Sequence, residues 1–137
     1  MSRESIVSTI ESKLRAMNTP KLGKVVRDPV IAEELPKTAF PAVYIETTDE
    51  DIEDISMQKR RRGIMLVEVV AIVGGQKRDT QRNILVEGIE KVLLADRTLD
   101  SSAVDISLAR VEAIAVGETA PYATVRMVFQ VEHHYTL

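Results

Sequence analysis

The sequence predicts an α+β fold, a two-layer sandwich in which a mainly antiparallel four-stranded sheet carries two principal helices on one face. Three observations predict it. Two segments repeat apolar residues at helical spacing, and four others are rich in β-branched residues or alternate with period two. The order helix, strand, strand, helix, strand, strand then lets both helices share one face of a sheet. The 137 residues form one domain over 1–137. Surface scaling gives roughly 7,000 Å² folded against roughly 22,000 Å² unfolded, and with 45% apolar residues the chain can build one core and not two.

The first helix opens at Ser2, a side chain suited to capping, and carries Ile6, Ile10, Leu14 and Met17 at spacings of four and three, with Val7 widening the stripe. Asn18-Thr19-Pro20 ends it. Residues 20–41 hold four of the five prolines and read as irregular, with a helical turn or two after Asp28-Pro29 that Pro36 stops. Phe40 to Glu46 predicts the first strand, Pro41 suiting its end or an edge. Ile64 to Val73 is apolar on both faces save Glu68 and predicts a central strand covered on both sides. Gly74-Gly75 breaks it, Asp79 or Thr80 caps a second helix, and Ile84, Leu85, Gly88, Ile89, Val92 and Leu93 form its apolar face. Gly88 costs about 1 kcal/mol of helix propensity, and a close approach of helix to sheet would justify it. After a turn at Asp96–Ser102, Val104–Val116 predicts a third strand. Gly117–Pro121 makes a loop, and Tyr122–Tyr135 alternates as a fourth strand, with Ala123, Val125, Met127, Phe129 and Val131 facing inward.

Composition excludes several classes of function. With 18 basic and 21 acidic residues the net charge is −3, too mild for nucleic-acid binding by bulk charge. There are no cysteines, which removes disulfides, thiolate metal sites and thiol nucleophiles. No apolar run reaches the ~20 residues of a membrane span, and the N-terminus lacks the apolar block of a signal peptide. The expectation is a soluble domain made in the cytoplasm.

No catalytic constellation is legible, and no cofactor site. Asp49–Asp54 lacks the glycine at position six of a calcium loop and has Arg60 where position twelve needs an acid. His133 and His134 are adjacent on a strand and point to opposite faces, so they cannot chelate one ion from it; solvent or interface histidines are the expectation. Gly74-Gly75 matches no phosphate-binding motif, and no serine sits in a nucleophile elbow. The expectation is a protein that is not an enzyme.

The densest charge in the chain is Asp49, Glu50, Asp51, Glu53 and Asp54, followed by Lys59, Arg60, Arg61 and Arg62. It predicts an exposed loop or the tip of a long hairpin. Charge of that density has no evident use inside the domain, so these nine residues are the candidates for a contact between subunits or with another assembly component. Opposite blocks on neighbouring copies would meet head to tail, and such contacts close into rings.

Helix, proline-bearing connector, the strand Phe40-Pro41-Ala42-Val43-Tyr44-Ile45, an acidic loop and a strand opening Arg61-Arg62-Gly63 follow one another. A helix closing in Val92-Leu93-Leu94-Ala95-Asp96-Arg97-Thr98-Leu99 and a last strand ending Val125-Arg126-Met127-Val128-Phe129-Gln130-Val131 complete the chain. In length, element order and texture this resembles the tail terminator (tail-completion) proteins of tailed bacteriophages. The resemblance carries no catalytic residues or cofactor. It implies a virion protein, assembled in the host cytoplasm, that forms a ring, expected to be a hexamer, at the head-proximal end of the tail. The implied partners are the tail tube protein, the head–tail connector or neck protein and, if the tail is contractile, the sheath protein; DNA only passes through the channel and no membrane is involved. Part of the acidic run could instead line that channel, where like charge keeps DNA from sticking. The alternatives are a neck or head–tail joining ring protein and, outside phage structure, a small dimeric ligand-binding α+β module.

Overall fold

The structure, a computed structural model, describes residues 2–75, 78–114 and 122–137. It is an α+β sandwich of one five-stranded sheet and two helices. Helix α1 is Arg3–Arg15, and strand β1, Lys24–Val26, follows it. Two short 3-10 turns, Ala32–Glu34 and Lys37–Ala39, precede β2, Ala42–Asp54. Then come β3, Arg60–Gly74; α2, Arg78–Leu94; β4, Asp105–Ile114; and β5, Tyr122–Thr136. The sheet order is β1-β2-β3-β5-β4, with every pairing antiparallel except that of β1 with β2.

The four expected strands are present, and β1 is a fifth. Its three residues are too few to show an alternation, and they sit inside the proline-rich connector. Gly23 admits the connection, because a Cβ there would lie 2.6 Å from backbone atoms of Thr38 and Ala39. The turn expected after Asp28-Pro29 is reduced to the 3-10 turn at Ala32–Glu34.

Helix α1 begins as its sequence predicts. The Ser2 hydroxyl accepts the Ser5 backbone N–H at 3.1 Å, and the Ser2 N–H donates to the Ser5 hydroxyl at 3.3 Å, a reciprocal cap. Ile6, Val7, Ile10 and Leu14 are buried. Helix α2 starts at Arg78, so Asp79 and Thr80, the expected caps, lie within its first turn; residues 76–77 are outside the described residues. The end of the expected third strand at Val116 and the loop Gly117–Pro121 also fall outside them.

The core lies between the helices and one face of the sheet. Val43 and Ile45 of β2, Met65, Val67, Val69, Ala71 and Val73 of β3, and Val125, Met127, Phe129 and Val131 of β5 form that face, packed with Ile10, Leu14, Leu85, Ile89 and Leu93. The inward row expected for β5 is therefore observed, with Ala123 only partly buried at its end. The expectation that β3 is covered on both sides is met in part: both helices pack on the same face, yet Val70 and Ile72 on the other face are buried as well. On the other face Val70 is buried between its cross-strand neighbours Tyr44 and Arg126. There Arg126 reaches Glu112 at 3.3 Å and Glu68 at 3.6 Å.

Gly88 does not bring helix to sheet. A Cβ there would lie 2.6 Å from the Thr19 carbonyl oxygen and 2.8 Å from Met17 Cε, so glycine lets α2 approach the turn that leaves α1. A backbone oxygen cannot swing aside as a side chain can. Gly88→Ala should therefore destabilise by about 1–3 kcal/mol through overpacking, despite the ~1 kcal/mol alanine gains in helix propensity. A lower urea midpoint with an unchanged slope checks this.

Candidate assembly interface

The nine charged candidates lie on a long hairpin arm whose root is a β-bulge. Thr47 pairs with Val67 and Glu50 with Met65, so Thr48 and Asp49 together stand opposite Leu66. The extra residue shifts the alternation by one. Without it Asp49 would follow Ile45 and Thr47 onto the inner face; with it Asp49 stays exposed and Glu50 turns inward.

There Glu50 meets the start of α1 and the end of β5. Arg3 grips its carboxylate with two nitrogens, Nε to Oε1 at 2.9 Å and Nη2 to Oε2 at 2.6 Å. His133 Nε2 lies 3.2 Å from Oε1 and is the donor, because an ionised carboxylate only accepts. Tyr135 completes the cluster: its hydroxyl accepts from Arg3 Nη2 at 3.2 Å, its ring stacks on His133 with centroids 5.3 Å apart, and the Arg3 guanidinium lies 4.8 Å over it. His133 is 1% exposed, so it is not the solvent histidine expected from its place near the C-terminus. Gly63 makes the room, since a Cβ there would lie 2.6 Å from His133 Nε2 and 3.2 Å from Glu50 Oε2.

Burial alone would raise the Glu50 carboxyl. The hydrogen bonds from Arg3 and His133 outweigh it and hold the group below the ordinary carboxylate value. A carboxyl depressed in the folded state contributes stability above its unfolded value and loses it as pH falls through the lower, folded one. Glu50→Gln should therefore cost about 1–2 kcal/mol at neutral pH, as for a hydrogen-bonded charge. The gap to the parent protein should close as the pH drops below about 4. Thermal melts of both proteins across that range check this; a gap independent of pH would mean that only packing is lost.

Beyond Glu50 the arm continues as three paired strands, β2, β3 and β5, out to Asp54–Arg61 and Arg60–Thr136. The expected hairpin is thus longer and more regular than a charged loop, because the acidic run is itself strand. Much of its charge is used within the chain, contrary to expectation. Asp54 pairs with Arg61 at 2.9 Å, and Arg62 bridges Glu53 at 3.0 Å and Glu132 at 2.9 Å. These are cross-strand neighbours, fixed by the register. Asp49, Asp51, Lys59 and Arg60 are exposed and make no ion pair among the described residues.

Charge patterning missed the apolar component. Met57 at the hairpin turn is 104% exposed, Ile52 48% and Ile55 41%, and Leu137 beside them 67%. The turn is closed by Ile55 N–H donating to the Arg60 carbonyl at 3.0 Å, and Leu137 N–H donates to the Lys59 carbonyl at 3.0 Å. Ile55 and Met57 stand inside a charged run, which is the signal that could have marked them. The inward row Val131, His133, Tyr135 could likewise have placed the histidine.

Among solved structures, the chain is similar to a chain in the virion of a native gene transfer agent particle. The two are 14% identical with a TM-score of 0.55, over 95% of this chain and 92% of that one. A likeness at that identity is one of fold. The type 4 fimbrial biogenesis protein PilO from Pseudomonas aeruginosa covers 98% of this chain and 69% of its own, at 12% identity and a TM-score of 0.36. The PilO core region from the same organism's type IV pilus system is also 12% identical, over 80% of this chain and 95% of its own, with a TM-score of 0.31. Both superpose too loosely to carry an argument. No protein-family model matches the chain, and no curated protein matches it.

Proposed function

We propose that the protein is a non-enzymatic structural subunit of a tailed-phage-type virion. It assembles as a ring, expected to be a hexamer, on the head-proximal end of the tail tube, ends tube polymerisation and presents the surface that the head connector binds. The observation that carries this reading is the arm. A three-stranded extension ends in a fully exposed methionine, with charges around it that are unpaired among the described residues, and presents apolar surface that none of the described residues covers. Two further points support the reading: a chain of a virion particle shares the fold over nearly the full length of both, and the order of elements resembles that of tail terminators.

The mechanism follows from the asymmetry of such a ring. One face offers the tube the contacts that another tube ring would offer, and the opposite face lacks them, so growth stops and the head connector finds a different surface. Asp49, Glu50, Asp51, Glu53, Asp54, Lys59, Arg60, Arg61 and Arg62 lie on the arm at those contacts. Glu50, Glu53, Asp54, Arg61 and Arg62 serve by holding its shape, and Asp49, Asp51, Lys59 and Arg60 serve by meeting other subunits.

Light scattering over a concentration and salt series tests the reading. The mass should rise from that of a monomer towards about six times that value, and added salt should oppose the rise. Lys59→Glu with Arg60→Glu, which disturbs no ion pair among the described residues, should weaken association at least about tenfold, roughly 1.4 kcal/mol, while leaving the melting temperature unchanged. Co-purification with tails that lack heads supports the tail-end position; co-purification with filled heads alone would move it to the neck. A salt-indifferent dimer at every concentration would overturn the ring.

A further inference from the structure

We infer that the arm tip of one copy docks in a groove of the helical layer of the next, a head-to-tail contact that closes the ring. The inference rests on the assembly reading above and names its contact. The groove lies between the end of α1 and the outer side of α2, an open cavity of about 730 Å³ whose lining joins apolar Met17, Ile84 and Val92 to charged Lys13, Glu87 and Lys91. Ile84 belongs to the apolar pattern of α2, yet it is 51% exposed, because the close approach at Gly88 seats α2 on the Met17–Pro20 turn and leaves Ile84 facing out.

Tip and groove match in chemistry. Each presents apolar side chains that its own chain leaves uncovered, Met57 and Ile55 on one and Ile84 and half-buried Val92 on the other. The tip carries Lys59 and Arg60, neither of them ion-paired among the described residues. The groove carries Glu87, likewise without an ion pair there. Lys13 and Lys91 line it as well; Lys13 is paired with Asp100 at 3.4 Å, and the arm's unpaired Asp49 and Asp51 supply the charge opposite to Lys91. Opposite charges meeting around an apolar plug, Lys59 and Arg60 at Glu87 and the arm's acids at Lys91, fix partner and register more than they add affinity.

Geometry makes the contact intermolecular. Helix α1 starts at the arm, where Arg3 holds Glu50, and runs away from it for 13 residues, about 20 Å at 1.5 Å per residue. The groove lies at its far end, so a tip cannot reach the groove of its own chain. A contact between two different surfaces of identical copies is heterologous, and it closes into a ring when the rotation permits.

The chain has no cysteine, so an introduced pair reports without background. Met57→Cys and Ile84→Cys both alter exposed side chains. Treated with a short bis-maleimide, the double variant should give a ladder of covalent oligomers ending at the ring's copy number, and each single variant should stay monomeric on a denaturing gel. Efficient dimers from Met57→Cys alone would mean tip-to-tip contact and overturn the proposal. No ladder from a double variant that light scattering shows as a ring would overturn it while leaving the ring intact. No ladder from a protein that is monomeric at every concentration would overturn both.

Discussion

β3 and β5 pair without a break from Arg60–Thr136 at the arm to Gly74–Tyr122 at the other end, while the helices cover only part of that length. This mismatch between a long strand pair and a short helical layer organises the rest of the molecule. Where helices lie over the pair, period two becomes a core: Met65, Val67 and Val69 meet Val131, Phe129 and Met127 and are buried. Where the helices end, the same pairing continues with both faces wet, and the side chains turn from apolar to charged. The arm is the uncovered part of a sheet whose covered part is the core.

The change of regime occurs at Glu50, and a bulge places it there. The extra residue in β2 puts the longer carboxylate of Glu50, instead of that of Asp49, at the end of the inner face. Arg3 from the first turn of α1 and His133 from β5 then satisfy it. A buried carboxylate with these partners ties helix, hairpin and last strand together at one point. Its partners also explain its ionisation, since hydrogen bonds outweigh the desolvation that acts the other way. Gly63 is required at this point for lack of space, not for any unusual backbone angle.

The arm beyond that point combines two kinds of side chain with separate roles. Cross-strand pairs such as Asp54–Arg61 and Glu53–Arg62 are exposed ion pairs, individually worth little, and they hold register. The apolar tip and the charges left over are surplus to the fold. Apolar surface left exposed at the end of a projecting arm is the kind of surface that marks an interaction site.

Sequence alone determined the class of the fold, both helices, four of the five strands and the inward row of β5, because each rests on a local period that needs no partner to be seen. The cap at Ser2 was legible for the same reason. The charged run was legible as an exposed loop or the tip of a long hairpin, whereas its internal pairing was not, since which acid meets which base depends on strand register. Gly88 signalled a close approach, and only the packing showed that the approach is to the turn after α1. The three-residue β1 has no period to read and exists because β2 offers it an edge. His133 keeps the inward parity of Val131 on an unbroken strand, whereas the partners that enclose it come from other elements. The inward turn of Glu50 was decided by tertiary structure, for a bulge moves every later side chain of its strand to the other face and nothing in a one-dimensional pattern marks where the extra residue falls.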